Sequence, residues 1–223
     1  MKIKFKCLIM DHDDTAVNST PEIHYPCYIQ TVETLRPHEK ILSLEEFMNA
    51  CFYPGLYDYY VKALNFTREE LELEFEQWQK YVASRVPHFF DGIGDIIKDF
   101  KAAGGVFAVS SQSYVKVIER DYTERLGFVP DFTYGCELPV EKCKPSPFSV
   151  LDICEKCGFA PSDVIVVDDL RTGLEMAKAA GAHFAAAGWS HIVPEISAYM
   201  KQNAEIYLRT VDDLRNVLFF SSL

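Results

Sequence analysis

The sequence has no long apolar run and comparatively little positive charge. No stretch approaches the ~20 apolar residues that span a bilayer, and the segment MKIKFKCLIM lacks a small-residue cleavage site. Lysines and arginines number 22 against 33 aspartates and glutamates, which gives a formal net charge of −11. An acidic surface has no general attraction for nucleic acids or anionic membranes. We therefore expect a cytoplasmic protein that binds neither of them.

The seven cysteines lack the regular spacing of a disulfide framework, and an odd number is typical of reduced thiols in a cytosol. One group, formed by Cys136, Cys143, Cys154 and Cys157, has the number of ligands that a zinc site needs. However, Cys154 and Cys157 fall on a predicted helix, where cysteine acts as a small apolar residue. We therefore favour a structural role for these cysteines.

Strand and helix patterns alternate along the chain from about residue 90 onward. Short apolar segments typical of buried strands, such as VFAVSS at 106–111 and DVIVVDD at 163–169, are separated by amphipathic helical patterns. Residues 3–10, IKFKCLIM, predict another buried strand. This alternation favours a parallel sheet covered by helices on both faces. We therefore predict the α/β class, with a Rossmann-like doubly wound parallel sheet as its core.

A helical and acidic region, residues 18–88, interrupts this pattern. Its segment TREELELEFEQWQKYVASRV begins with Thr67 and Glu70, which have the spacing of a capping box at a helix N-terminus. Its apolar residues then recur at helical spacing. We therefore expect an inserted α-helical cap domain at 18–88 and an α/β catalytic core made of 1–17 and 89–223.

Polar side chains gather where the predicted strands end. In α/β sheets, ligands bind beyond the carboxyl ends of the strands, at a point where the strand order reverses. The residues at these ends are Asp11, Asp13 and Asp14 after the first strand, Ser110 and Ser111 after the next, Asp168 and Asp169 after a later one, and Lys144 in the loop KCKPSP.

Carboxylates so close in sequence repel one another, by roughly 4 kcal/mol per pair at about 4 Å and an effective dielectric constant of about 20. A bound cation would relieve that repulsion, and hard cations prefer oxygen ligands. Hydroxyls and a lysine can hold phosphate oxygens, and a carboxylate can attack phosphorus to form an aspartyl-phosphate. The pattern therefore indicates a site for Mg²⁺ and a phosphate group.

The order of these motifs resembles that of the haloacid dehalogenase superfamily, in its branch similar to β-phosphoglucomutase and phosphoglycolate phosphatase. DHDDT at 11–15 matches the first motif, DxDGT, and VFAVSS matches the second at Ser110. KPSP matches the third at Lys144, and VVDDLRTGLEMAKAAG matches the fourth. The matches cover the chain from residue 3 to about 190, and many members carry a helical cap soon after the first motif.

The resemblance implies a role for each matched residue. Asp11 would be the nucleophile, and Asp13 would be the general acid and base. The implied ligands are Ser110, Ser111 and Lys144 for phosphate, and Asp11, Asp13 through its backbone carbonyl, Asp168 and Asp169 for Mg²⁺.

Three residues need separate expectations. Asp14 stands where the family has a glycine, in a turn that often needs a positive φ, which aspartate tolerates; we expect its side chain to point to solvent. Ser111 stands where the family usually has asparagine, so the group that orients the phosphate there is open. His24, near the start of the cap, could handle protons, although a lone histidine is more often structural.

Taken together, the residues and the resemblance predict a Mg²⁺-dependent phosphatase that acts on monoesters of small phosphorylated metabolites through an aspartyl-phosphate. The alternative is a phosphosugar mutase of the same superfamily, whose cap carries a G-x-x-R pattern that residues 18–88 lack. Dehalogenase and phosphonatase chemistry is disfavoured by Asp13, because a dehalogenase needs no acid at its leaving group. A receiver domain fits the motif order less well, and a non-catalytic phosphate-binding protein is disfavoured because Asp11 and Asp13 are both present. Neither the substrate nor the oligomeric state follows from the sequence, although a monomer is compatible with it.

Overall fold

Six parallel strands form a single sheet in the computed structural model, which describes residues 2–220. The strands are β1 (Cys7–Met10), β2 (Val106–Ser110), β3 (Phe132–Tyr134), β4 (Val164–Asp168), β5 (His183–Ala187) and β6 (Ile206–Leu208). Their order across the sheet is β3-β2-β1-β4-β5-β6. The predicted α/β class with a doubly wound parallel sheet is confirmed.

Helices connect the strands and fill the region between β1 and β2. They are α1 (Tyr25–Leu35), α2 (Leu44–Phe52), α3 (Leu56–Asp58), α4 (Arg68–Ser84), α5 (Ile93–Ala102), α6 (Val115–Leu126), α7 (Phe148–Cys157), α8 (Arg171–Ala180), α9 (Pro194–Asn203) and α10 (Val211–Leu218). Two π-helical turns, Thr20–His24 and Tyr59–Ala63, adjoin α1 and α3. None of the helices within 2–220 is long and apolar enough to cross a membrane.

The two faces of the sheet have separate apolar cores, because successive strand residues point to opposite sides. On one face, Leu8 and Met10 pack with residues of α5, α6 and α10. On the other face, Cys7 and Ile9 pack with residues of α7, α8 and α9. Cys154 belongs to this second core, as expected for a structural cysteine. Both faces of the sheet are therefore covered.

Strand β1 lies at the centre of the sheet, between β2 and β4. The chain winds from β1 through β2 to β3 on one side, and from β4 to β6 on the other, so the strand order reverses next to β1. A crevice opens at such a point beyond the carboxyl ends of the strands. The fold therefore brings the residues that follow β1, β2 and β4 together at one edge.

The cap, residues 18–88, has an apolar core of its own. Its members are Tyr28, Val32, Phe47, Tyr60, Leu64 and Phe66, all of them buried. Helix α4 begins after Thr67, whose side chain and that of Glu70 form the predicted capping box. The helices of this region are confirmed, whereas its division from the rest of the chain as a domain stays a proposal.

The segments that lead into and out of the cap lie side by side. The Asn18 backbone N–H donates to the carbonyl of His88 at 2.9 Å, and that of Phe90 donates to the carbonyl of Ala16 at 3.0 Å. Val17 and Phe89 form an antiparallel bridge between these bonds. The cap is therefore joined to the sheet by two paired segments.

The first strand is shorter than predicted. It begins at Cys7, whereas Ile3 forms only an isolated antiparallel bridge with Phe219. Residues 3–6 carry lysines at alternate positions, and the ladder with β2 and β4 starts at Cys7. The alternation of apolar residues and lysines over residues 3–6 therefore belongs to a segment at the edge of the fold and not to a longer strand.

Candidate active site

A cavity of about 540 Å³ lies between the carboxyl edge of the sheet and the cap, within the roughly 300–1,000 Å³ typical of small-molecule sites. Its walls on the sheet side include Asp11, Asp13, Ser111, Lys144 and Asp169. They meet there because the strands that carry them end next to each other. The cavity therefore collects most of the residues that the motifs singled out.

Lys144 lies between two of the carboxylates that the motifs predicted at this site. Its Nζ lies 2.7 Å from Oδ1 of Asp11 and 2.6 Å from Oδ2 of Asp168, and all three side chains are buried. Burial lowers the pKa of Lys144, but the two carboxylates raise it well above its usual value. The ammonium group is therefore held as a permanent positive charge beside Asp11.

Asp11, Asp168 and Asp169 each present an oxygen, and these three oxygens lie within 4.8 Å of one another. Burial raises the pKa of Asp11 to about 7, with Asp168 and Asp13 adding to the rise and Lys144 opposing it. Burial and the neighbouring carboxylates also raise the pKa of Asp169. Buried carboxylates that destabilise each other fit a hard divalent cation, which would remove the repulsion.

The fourth motif is fixed by contacts with the first. Thr15 donates its hydroxyl to Oδ1 of Asp169 at 3.0 Å and accepts the backbone N–H of Asp169 at 3.1 Å. Asp168 accepts the backbone N–H of Leu170 at 2.8 Å. A Cβ at Gly173 would lie 2.2 Å from Cγ of Asp168, so only glycine allows this approach. The acidic pair is therefore rigidly positioned.

The Asp13 side chain lies apart from the three clustered carboxylates. Its Oδ1 is 3.0 Å from Nε2 of His24, and its Oδ2 accepts the Ser113 hydroxyl at 2.7 Å. Burial raises the pKa of Asp13, but His24 and Ser113 lower it well below its usual range. This separation leaves only the backbone carbonyl of Asp13 for a metal, as the resemblance implied, and that ligand stays a prediction.

His24 reaches Asp13 from the cap and is held there by Trp78. The indole N–H of Trp78 donates to Nδ1 of His24 at 3.1 Å. Because indole nitrogen can only donate, Nδ1 acts as the acceptor, and the neutral ring carries its proton on Nε2, facing Asp13. The Trp78 and His24 rings are also stacked. The histidine that sequence reasoning left as structural therefore contacts the predicted acid and base.

Ser110 is not brought to the cavity, contrary to its expected role in binding phosphate. Its hydroxyl lies 3.1 Å from that of Ser149 and 3.8 Å from Sδ of Met176, under α7 and α8. Side chains alternate along β2, so Ser110 faces the same core as Ala108. Ser111 lines the cavity instead, with its hydroxyl 3.4 Å from Oδ2 of Asp13.

The expectation that Asp14 points to solvent is wrong. The residue has the positive φ expected of the turn, +53°, but its side chain is buried. Its Oδ1 accepts the backbone N–H of Thr20 at 3.0 Å, where the first helical turn of the cap begins. Burial raises the pKa of Asp14 to about 6. A carboxylate in the usual glycine position thus ties the catalytic loop to the cap.

Sequence reasoning missed two residues that help to position the side chains of the site. Ser113 donates to Asp13, and Trp78 orients His24. The repeated serines of SSQS were a signal for Ser113, since a third hydroxyl two residues after Ser111 can return to the same side. No local signal identified Trp78, because its partner lies 54 residues away and on another helix.

The comparison with known families agrees with the motif order. The profile described as "Haloacid dehalogenase-like hydrolase" matches residues 8–187, which is most of the chain. A phosphoglycolate phosphatase from Thiobacillus denitrificans is 24% identical over 197 residues, which cover 80% of this chain and 81% of that relative.

Solved structures share the fold over nearly the whole chain. A conserved haloacid dehalogenase-like protein of unknown function from Agrobacterium tumefaciens aligns with a TM-score of 0.75 at 20% identity, covering 96% of this chain and 97% of its own. A mutant of CbbY from Rhodobacter sphaeroides in complex with xylulose-(1,5)bisphosphate aligns with a TM-score of 0.70 at 18% identity, covering 92% and 94%. At such identities these likenesses establish the fold alone.

Proposed function

This chain belongs to the haloacid dehalogenase-like hydrolases and is a phosphohydrolase, and from that premise we propose that it hydrolyses monoesters of small phosphorylated metabolites with the help of Mg²⁺. The observation that carries the proposal is the position of Lys144, within 2.7 Å of Asp11 and 2.6 Å of Asp168 at the wall of the cavity. A buried ammonium group beside a buried carboxylate would draw a phosphate dianion towards that carboxylate.

In the first step, an oxygen of Asp11 attacks phosphorus. The new O–P bond makes an aspartyl-phosphate, and the bond from phosphorus to the ester oxygen breaks. Lys144 stays beside the reacting oxygen and balances the charge that gathers on the phosphoryl group. Ser111 lies on the adjacent wall, where its hydroxyl and nearby backbone can contact the phosphoryl oxygens.

Asp13 serves the leaving group and then the water. The ester oxygen needs a proton as it leaves, and the attacking water must later lose one. His24 and Ser113 favour the ionised Asp13 when no phosphate is present. A phosphate dianion beside Asp13 would raise its pKa again, because like charges disfavour ionisation. The same carboxyl can therefore give its proton in the first step and accept one in the second.

Asp11, Asp168 and Asp169 are the side chains that would hold a divalent cation, with the Asp13 carbonyl as a further ligand. When bound, Mg²⁺ would supply positive charge that permits a carboxylate to approach a phosphate dianion. Thr15 and Gly173 keep the two acidic residues of the fourth motif in place for this purpose.

Hydrolysis is favoured over phosphoryl transfer between two positions of a sugar phosphate. A mutase must hold a second phosphate while its intermediate turns round, and positive side chains serve that purpose. The cap contributes no lysine or arginine to the cavity wall within the described residues. Water is therefore proposed as the acceptor, and residues 18–88 as a cap domain that selects the organic part of the substrate.

The experiment that tests the function is a panel of phosphate monoesters with Mg²⁺, read by release of inorganic phosphate. A second arm uses β-glucose 1-phosphate with a trace of the 1,6-bisphosphate and follows ³¹P NMR. We expect free alcohol and phosphate without dependence on the bisphosphate. Glucose 6-phosphate that forms faster than inorganic phosphate would identify a mutase instead.

A further inference from the structure

The wall that the cap contributes to the cavity is aromatic and apolar, and its charges are negative. Its rings and apolar chains include Tyr28, Phe47, Phe52, Tyr60, Trp78 and Met48. Histidine apart, two cap residues on this wall carry a formal charge at neutral pH within the described part of the chain. Both are acids, Asp58 and Glu74. An anionic group on the substrate would meet no cap cation here.

The two acids differ in how their charge is balanced. Asp58 accepts from Nζ of Lys62 at 2.7 Å, so its charge is compensated on the cap surface. Glu74 makes no salt bridge within residues 2–220, and burial raises the pKa of its carboxyl to about 7, opposed first by the Tyr60 hydroxyl and then by His24. Above that pH, Glu74 is a negative charge without a lysine or arginine partner among the described residues, on a wall formed mainly by aromatic and apolar side chains.

The opposite wall of the cavity carries three basic side chains, Lys144, Arg171 and His191. Lys144 is bound to Asp11 and Asp168 near the reacting phosphate. Arg171 lies with Nε 3.3 Å from Oε1 of Glu175 without forming a hydrogen bond, and its guanidinium lies over the ring of Tyr53. Burial lowers the pKa of His191, so that ring is neutral. Of these three side chains, Arg171 alone could meet a second anionic group, and it belongs to the sheet side of the cavity rather than to the cap wall.

The cavity also extends beyond the volume that a very small substrate fills. A second cavity of about 440 Å³ adjoins it, and Leu56, Tyr57, Tyr60 and Glu74 line both. The lining of this second cavity includes Arg68, which is paired with Glu72 at 3.1 Å. Glu74 therefore stands at the boundary between the two cavities.

From these observations, and resting on the proposed phosphatase function, we propose that the substrates are monophosphate esters whose organic part is bulky, apolar and free of negative charge. Burial of that part against the aromatic wall supplies binding energy in proportion to the apolar area covered. Glu74 rejects anionic organic groups and accepts neutral or cationic ones. It is a specificity-determining residue rather than a member of the catalytic machinery.

The test uses three esters with the same reacting CH₂–O–P group: benzyl phosphate, 4-carboxybenzyl phosphate and 4-(aminomethyl)benzyl phosphate. Their kcat/KM values are measured at about pH 8, where Glu74 is ionised, with p-nitrophenyl phosphate as a general substrate. We expect benzyl phosphate to exceed the carboxylated ester by about tenfold, as expected for like charges in a partly screened cavity. The aminomethyl ester should equal or exceed benzyl phosphate.

Glu74→Gln should reduce the gap between benzyl and 4-carboxybenzyl phosphate to about threefold or less. Glu76 lies on the exposed side of the same helix, so Glu76→Gln is the matched control and should leave the gap unchanged. A carboxylated ester, or 2-phosphoglycolate, that outperforms benzyl phosphate in the unmodified protein would overturn the inference while hydrolysis itself stands. So would a gap that Glu74→Gln leaves intact. Inactivity towards every ester, p-nitrophenyl phosphate included, would overturn the phosphatase function and the inference with it.

Discussion

The indole N–H of Trp78 and the imidazole of His24 form a fixed pair, with Nε1 of Trp78 3.1 Å from Nδ1 of His24. The pair lies in the cap, but its other end contacts the sheet side, because Nε2 of His24 is 3.0 Å from Asp13. The orientation of a proposed acid and base is thereby set by two cap residues. The position of the cap and the orientation of the Asp13 side chain are therefore linked through this contact.

Removing the indole donor tests that coupling. Trp78→Phe keeps an aromatic ring but frees Nδ1 of His24, so we expect kcat/KM to fall by about threefold to tenfold, the net worth of one hydrogen bond. The melting temperature should change little. Tyr81→Phe is the control, because Tyr81 lies on the same helix as Trp78 and its hydroxyl is bonded to Gln30 of α1. An unchanged ¹⁵N chemical shift of the His24 ring in Trp78→Phe would contradict the assignment.

The acid role of Asp13 predicts a dependence on the leaving group. Asp13→Asn should lower kcat/KM on alkyl phosphates by about 10²- to 10⁴-fold, whereas kcat/KM on p-nitrophenyl phosphate, which covers only the steps up to the aspartyl-phosphate, should fall much less because its leaving oxygen needs no proton. Asp11→Asn should abolish both reactions and the aspartyl-phosphate itself. Equal losses on the two substrates in Asp13→Asn, with chemistry rate-limiting, would show that Asp13 is not the acid.

The two neighbouring serines should respond in opposite ways. Ser111→Ala removes a hydroxyl from the cavity wall and should lower kcat/KM with little change in stability. Ser110→Ala removes a buried hydrogen bond to Ser149 and should cost about 1 kcal/mol in the free energy of unfolding, with activity retained. Urea unfolding and steady-state kinetics on both variants check this. Loss of activity in Ser110→Ala alone would restore the sequence-based assignment.

The crowded carboxylates make metal binding depend on pH. In the folded protein the pKa values of these carboxyls are raised, to about 7 for Asp11. Between about pH 4 and 7, the metal-free folded protein therefore keeps protons that the unfolded chain has released. Rising pH through this window therefore destabilises the metal-free protein, and bound Mg²⁺ must displace those protons.

We expect the affinity for Mg²⁺ to fall by up to about tenfold per pH unit below pH 7 for each proton displaced. The rise in melting temperature on adding Mg²⁺ should be larger at about pH 8 than at about pH 5.5. NaCl at matched ionic strength is the control, and activity should be lost after exhaustive EDTA treatment. Equal stabilisation at the two pH values, or full activity in EDTA, would argue against a metal held by these carboxylates.

The sheet could be predicted from the sequence because its strands are short, apolar and regularly separated by amphipathic helices. The meeting of Asp11, Lys144, Asp168 and Asp169 followed as well, since the carboxyl ends of neighbouring parallel strands share one edge. The prediction that failed concerned the direction of single side chains. Side chains alternate along a strand, so of the two adjacent serines predicted to bind phosphate only Ser111 lines the cavity.

The cap's part of the site could not be predicted from local patterns. Contacts such as His24 with Trp78 depend on how a helix packs over the sheet, and the two residues are 54 positions apart. The burial of Asp14 has the same origin, because it is Thr20, on the first turn of the cap, that supplies its hydrogen bond. Sequence patterns specify each helix, but not the angle at which the helix faces the cavity.

The bridge between Val17 and Phe89 would allow another insertion to take the place of the cap. The chain leaves and re-enters the sheet at adjacent points, in antiparallel orientation. The two ends that the cap connects are therefore as close as the two strands of a hairpin. A turn of about two residues could join them. The cost of closing a chain rises only slowly with its length. Exchanging the cap for another helical insertion would therefore place little strain on the sheet, and the proposed chemistry would be kept where the new insertion supplies the contact that His24 makes with Asp13.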